Sequence, residues 1–99
     1  MTRPPDEEFP LHGFVYSARF EAELEYIEPE AKAADQIIHS LEFALQRDPY
    51  KGFPVEGTPY RIWPVYDRRG CEYVVYYRIG ERVEALSIVP SDVDNSDDL

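Results

Sequence analysis

The chain has 99 residues, of which 43% are hydrophobic, and its formal net charge is −10. This length fits one small domain with a single hydrophobic core, and the apolar content excludes disorder along the whole chain. No run approaches the ~18 apolar residues that a membrane-spanning helix needs. The acidic charge repels phosphate, so general nucleic-acid binding is unfavourable.

The sequence predicts a cytoplasmic protein. Its first eight residues contain no apolar stretch of the kind that forms the centre of a signal peptide. Cys71 is the single cysteine and cannot form an intramolecular disulfide, which is typical of a reduced compartment.

The charge is distributed unevenly along the chain. Residues 1–46 carry a net charge of −7, residues 47–82 a net charge of +2, and residues 83–99 a net charge of −5. The middle segment is therefore the part that suits an anionic partner, although ordinary solvent-facing positions are the favoured explanation of its basic residues.

The first part of the chain predicts an arm, a strand and a helix. Residues 1–11 hold three prolines and three consecutive acids, which indicates an irregular arm, and residues 12–16 predict a short strand. Ser17 suits the N-cap of a helix that ends near Glu28, because a proline follows. The apolar face of this helix consists of Phe20, Leu24 and Ile27. Its other face, expected in water, carries Glu21, Glu23, Glu25 and Glu28.

A second helix is predicted to start at Pro29, where the missing amide hydrogen costs nothing, and to stop before Asp48. Its apolar residues recur at helical spacing and are Ala34, Ile37, Ile38, Leu41 and Leu45. Two helices that meet at a proline-marked turn form a helical hairpin.

The rest of the domain predicts a three-stranded meander. Residues 48–59 contain three prolines and two glycines and predict a long loop. The predicted strands cover residues 60–66, 72–79 and 83–89. Pro64 places the first strand at an edge or a bulge. The second strand is apolar on both faces and is expected at the centre of the sheet.

Gly80-Glu81 predicts a two-residue type II′ turn between the last two strands. The order strand, helix, helix, strand, strand, strand predicts an α+β fold, in which a helical hairpin packs on a small antiparallel sheet. Residues 12–90 form this single domain, and residues 91–99 predict a mobile acidic tail.

No metal or cofactor site is predicted. His12, His39 and Cys71 are too far apart in the sequence to match the spacing of a zinc site. Cys71 has two arginines before it, yet the sequence places no base beside it, so a structural role is favoured over nucleophilic catalysis. Gly-rich phosphate loops and serine elbows are not found.

Arg61 and Arg78 are interleaved with tyrosines on the predicted strands. Aromatic side chains with arginines can stack bases and hold phosphates, but tyrosine is also an ordinary strand residue. Because strand register is not readable from the sequence, the face that each arginine occupies stays open. The tyrosines in or beside the strands are Tyr60, Tyr66, Tyr73, Tyr76 and Tyr77.

Residues 14–90 resemble the RelE/ParE toxin superfamily in the order and spacing of several short motifs. These are Leu45-Gln46-Arg47-Asp48-Pro49, Tyr60-Arg61-Ile62-Trp63, Tyr73-Val74-Val75-Tyr76-Tyr77-Arg78-Ile79 and Val83-Glu84-Ala85-Leu86-Ser87-Ile88. The resemblance implies the fold of these small bacterial toxins and a cognate antitoxin as partner. RelE-like members cut messenger RNA on the ribosome, whereas ParE-like members act on DNA gyrase.

The residues that carry the family's ribonuclease activity are mostly replaced. Arg61 matches a basic position of the family, but Trp63 and Val74 stand where the nucleases carry further basic residues. Beyond the last strand, Pro90-Ser91-Asp92 stands where a basic residue and an aromatic or histidine are usual. Loss of one group that stabilises transition-state charge costs about 10²–10³ in rate. The remaining catalytic candidates are Arg61, Arg78 and Tyr76.

These departures predict a toxin-fold protein of a type II toxin–antitoxin system that is not a competent ribonuclease and acts by binding a protein. An antitoxin helix would lie against apolar sheet and helix surfaces, and charge complementarity favours a neutral or basic antitoxin. One alternative is a ribosome-dependent mRNA endoribonuclease. Another is a non-toxic orphan homologue, which includes a self-associating homodimer.

Overall fold

The computed structural model describes residues 13–91. The predicted arm over residues 1–11, His12 and residues 92–99 of the predicted tail lie outside the described residues. The elements, in chain order, are β1 (Phe14–Tyr16), α1 (Ala18–Ile27), α2 (Ala31–Leu45), a 3₁₀ helix (Pro49–Lys51), β2 (Phe53–Pro54), β3 (Tyr60–Tyr66), β4 (Glu72–Ile79) and β5 (Val83–Pro90).

The strands form one sheet in the order β1–β5–β4–β3–β2. All neighbouring strands are antiparallel except β1, which pairs with β5 in the parallel direction. The two helices pack on one face of this sheet, which confirms the predicted α+β architecture. β4 is the middle strand, as its two apolar faces predicted. The parallel edge strand β1 departs from the fully antiparallel sheet that was expected.

The core lies between the helices and this one face of the sheet, and the predicted apolar faces of both helices contribute to it. Its buried members are Phe20, Leu24, Ile37, Leu41, Leu45, Val65, Val75, Tyr77, Val83, Ala85 and Ile88. Within residues 13–91, neither helix has the length and continuous apolar character that crossing a bilayer requires.

A side-chain cap explains where α1 begins, whereas α2 begins without one. The Ser17 side chain accepts a hydrogen bond from the Phe20 amide at 3.0 Å and caps α1, as predicted. The predicted start of α2 at Pro29 is wrong, because Glu30 has extended backbone angles and forms the N-cap. Residues 28–30 are instead used to turn the chain between the helices.

Two of the four glutamates that were expected in water instead form hydrogen bonds or ion pairs within the protein. Glu28 is only 4% exposed and pairs with Arg68 at 3.1 Å. Glu23 is partly buried and accepts hydrogen bonds from β5. The prediction fails for these two residues because Arg68, in the turn between β3 and β4, and strand β5 lie close enough to α1 to supply hydrogen-bond partners.

Two loop predictions are also corrected. The segment 48–59 contains the 3₁₀ helix and the short strand β2, which pairs with the start of β3. The connection between β4 and β5 spans three residues, 80–82, and Gly80 lacks the positive φ that a type II′ turn requires. Pro64 lies beyond the short β2, at the open edge of β3, as predicted.

Candidate functional site

The register of the sheet separates its two faces. Val75 and Tyr77 of β4 are fully buried and point towards the helices, so Val74 and Tyr76 point away from them. Residues that are paired directly across strands share a face, which adds Pro64, Ile62 and Val89. The outer sheet face is defined here by Ile62, Pro64, Val74, Tyr76 and Val89.

The outer sheet face is apolar and partly exposed. All five of its residues have intermediate solvent exposure. Within residues 13–91 both helices pack on the opposite face of the sheet, so this face has no covering layer in the described part of the chain. Contiguous apolar surface that no other element covers is a candidate site for protein interaction.

Arg78 lies on the same face as Tyr76 and is engaged by a carboxylate. Its Nε donates to Glu84 Oε1 at 2.8 Å, and its second guanidinium nitrogen lies 2.7 Å from the same oxygen. Glu84 is the residue paired with Arg78 on β5. The positive charge at this end of the outer sheet face is therefore balanced locally.

Arg61 lies on the opposite face of the sheet, because its partner on β4 is the buried Tyr77. One guanidinium nitrogen donates to the backbone carbonyls of Tyr50 at 2.9 Å and Gly52 at 2.8 Å. The guanidinium carbon also lies 5.2 Å from the centre of the Tyr50 ring. These contacts hold the segment 49–52 against β3.

The three sequence-derived catalytic candidates are thus not brought together. Tyr76 and Arg78 lie on the outer sheet face, and Arg61 lies on the helix side. The cause is the strand register, which the sequence did not reveal. A catalytic role for any of them stays a prediction.

Tyr77 is the second residue that fixes the segment 49–52. Its hydroxyl donates to the Pro49 carbonyl at 2.6 Å and accepts from the Gly52 amide at 3.1 Å. Burial raises the pKa of Tyr77 and keeps it a neutral donor. A side chain at Gly52 has no room, since a Cβ there would lie 2.2 Å from the Tyr77 hydroxyl oxygen.

A cationic–aromatic cluster forms around this segment and was missed by the sequence reasoning. It consists of Tyr50, Lys51, Phe53, Arg61 and Trp63. Lys51 Nζ lies 5.4 Å from the centre of the Trp63 ring, and the Phe53 and Trp63 rings are 6.4 Å apart and nearly parallel. Tyr50 and Phe53 are each more than half exposed. Such a cluster can stack a planar ring and attract an anion.

The only signal for this cluster in the sequence was Tyr-Lys-Gly-Phe shortly before Trp63. This pattern does not predict a cluster, because the segment is predicted to be a loop. The pairing of β2 with β3 brings Phe53 beside Trp63.

Asp67 organises the hairpin between β3 and β4. It is buried and accepts from the amides of Arg69 and Cys71, at 2.8 and 2.9 Å, and from the Tyr73 hydroxyl at 3.3 Å. Burial alone would raise the pKa of Asp67, but the hydrogen bonds from the Cys71 and Arg69 amides and the Arg69 guanidinium lower it below its ordinary value. These contacts stabilise the turn between β3 and β4.

Cys71 and His39 are exposed side chains. Within residues 13–91, no three histidine, cysteine or acidic side chains group closely enough to hold a metal ion.

The chain shares its fold with a protein of known structure. No protein-family model matches this chain, nor does any curated protein. A solved structure described as "Chromosomal ParDE TA system from P. aeruginosa" aligns with a TM-score of 0.58 and 20% sequence identity. The alignment covers 81% of this chain and 96% of that one. At this identity the similarity establishes a shared fold, which is the fold that the resemblance implied.

Proposed function

We propose that this chain is the toxin-type member of a type II toxin–antitoxin pair, and that it acts by binding a protein partner. The observation that carries the proposal is the outer sheet face, which is apolar, partly exposed and uncovered among residues 13–91. An amphipathic helix of a cognate antitoxin is the partner that fits such a face. The fold shared with a ParDE chain supports this reading.

The charge of the chain points to the chemistry of the partner. The net charge of −10 repels an acidic protein at long range and favours association with a neutral or basic one. The antitoxin is therefore expected to be neutral or basic over the segment that covers the outer sheet face.

The state of the two arginines supports partner binding over RNA cleavage. Arg61 is committed to two backbone carbonyls and Arg78 to Glu84, so both guanidinium groups already have partners. Val74 lies on the outer sheet face and Trp63 beneath Lys51, at positions where the family's nucleases carry basic residues. A cleavage site needs cationic groups aimed at the developing charge.

The test is co-purification with the product of the adjacent gene. Val74→Arg places a charge in the outer sheet face and is expected to weaken the complex about 30-fold or more, the scale of an interface hot spot. Ser40→Arg is the matched control, because Ser40 is exposed on α2. Equal binding by wild type and a folded Val74→Arg variant contradicts the assignment of this face, and the absence of any complex contradicts partner binding.

The second candidate function is ribosome-dependent cleavage of mRNA, and the cationic–aromatic cluster favours it. Lys51→Ala removes an exposed cation, whereas Arg61→Ala also removes the clamp on the segment 49–52. Lys32→Ala, an exposed position on α2, is the control. Robust cleavage by purified wild-type protein that is lost in Lys51→Ala alone would replace the first proposal.

Two further assays separate the remaining alternatives. Inhibition of purified DNA gyrase would indicate a ParE-like target. Growth without arrest on expression, together with a self-associated species in sizing chromatography, would indicate a non-toxic orphan homologue.

A further inference from the structure

A second apolar depression lies between α1 and the ends of β4 and β5. It encloses roughly 530 Å³, and its lining includes Tyr26 and Ile27 on α1 and Ile88 and Pro90 on β5. We call it the α1 groove. The Tyr26 side chain on its rim is 88% exposed, although its ring is apolar. The proposed function makes no use of this groove.

One exposed guanidinium group lines the α1 groove, and a second contacts a residue that lines it. Arg69 lines it, with 70% of its side chain exposed and a 3.4 Å contact to Asp67. Arg19 is 72% exposed and lies 3.1 Å from Glu23, which also lines the groove. Glu23 is itself occupied by hydrogen bonds from Ser87 and Ile88. An apolar trough with two cations at its rim fits an aliphatic side chain flanked by carboxylates.

A segment of this composition follows the groove directly in the sequence. Residues 92–99 read Asp-Val-Asp-Asn-Ser-Asp-Asp-Leu. The described chain ends beside the groove, because Pro90 lines it and the Ser91 amide bonds to the Glu72 carbonyl at 3.1 Å. Val93 lies three residues beyond Pro90, and three extended residues span roughly 10 Å.

We propose that residues 92–99 bind in the α1 groove of the same molecule, with the Val93 side chain against Tyr26 and Ile88 and aspartates beside Arg69 and Arg19. An acidic segment of another protein fits less well, since the net charge of −10 opposes its approach. A tethered segment instead has an effective concentration on the order of millimolar. The proposal does not depend on the function proposed above.

The experiment is proton NOE spectroscopy on the full chain at low salt. The expected result is a set of NOEs between the Val93 methyl groups and the Tyr26 ring or the Ile88 methyl groups. Val93→Asp is expected to shift the amide resonances of Tyr26, Ile27 and Ile88, while Asn95→Ala, the matched control in the same segment, leaves them in place.

Three results would overturn the proposal. The first is the absence of these NOEs from a wild-type spectrum whose well-dispersed resonances show that the protein is folded. The second is NOEs from Val93 to the outer sheet face instead of the α1 groove. The third is NOEs that appear only between differently labelled molecules in a mixed sample, which would assign the groove to a second copy.

Discussion

The hydroxyl group of Tyr77 serves two backbone groups at once. It satisfies the carbonyl of Pro49 and the amide of Gly52 at a point where both are buried. Buried polar groups that lose their partner are destabilising, so this one side chain secures the position of the segment 49–52. Through that segment it also sets where Tyr50 and Lys51 of the cationic–aromatic cluster lie.

Replacing Tyr77 by phenylalanine tests this role. We expect Tyr77→Phe to lower the free energy of unfolding by about 1–3 kcal/mol, the usual cost of leaving a buried donor or acceptor unpaired. Urea denaturation measures it. Tyr60→Phe is the control, because Tyr60 is half-buried and its hydroxyl makes no hydrogen bond within residues 13–91. An unchanged midpoint for Tyr77→Phe would mean that water replaces the lost partner.

At the scale of elements, α1 is fastened to the sheet by a carboxylate. Glu23 Oε1 accepts from the Ser87 hydroxyl at 2.8 Å and from the Ile88 amide at 2.9 Å. These residues follow a β-bulge in β5, at the shift of register opposite Tyr76 and Tyr77. β1 pairs with β5 only as far as Ala85, and beyond that point Glu23 of the helix supplies an acceptor for the Ile88 amide.

We expect Glu23→Ala to destabilise the protein by about 1–3 kcal/mol, because the Ile88 amide loses its acceptor. Glu23→Gln keeps an oxygen in the same place and should cost clearly less. Thermal unfolding followed by circular dichroism compares the two variants. Equal losses for both would show that the charge, and its pairing with Arg19, matters more than the hydrogen bonds.

The sequence predicted the elements whose signals are local. Ser17 capped α1 and the stripe through Ile37 and Leu41 entered the core, because capping and the 3.6-residue period act over one or two turns. The start of α2 was misplaced by two residues because Pro29 is equally compatible with the turn before a helix.

The candidate site could not be predicted from the sequence, because it depends on pairing between residues that are distant along the chain. Arg61 and Arg78 are separated onto opposite faces by the register of β3 against β4, which no local pattern specifies. β4 is apolar on both faces, so alternation alone did not tell which face the helices would cover. β2 has only two residues and pairs over that length, too short for any periodic signal.

At the scale of the whole molecule, acid is expected to destabilise the fold. Burial raises the pKa of Asp67 and Glu23, yet their hydrogen bonds and nearby arginines lower both pKa values overall. A lowered pKa gives stability that is present above the ordinary pKa of about 4 and is lost as pH falls through the lower native value.

Urea midpoints measured from pH 6 down to pH 2.5 should therefore fall, mostly below about pH 4. Asp67→Asn is expected to make this decline shallower, because residue 67 then no longer titrates. A midpoint that stays constant or rises towards low pH would contradict the link to these two carboxylates.

The parallel pairing of β1 with β5 constrains when the molecule can assemble. Phe14 sits beside Val83, so the sheet closes only after nearly the entire described chain has left the ribosome. β5 also supports α1 and β4, so a nascent chain that stops before Val83 leaves Phe20 and Leu24 without the surface that buries them. Interrupted translation should thus give aggregation-prone fragments with exposed apolar side chains, which chaperones or proteases remove. It should give no partly active product.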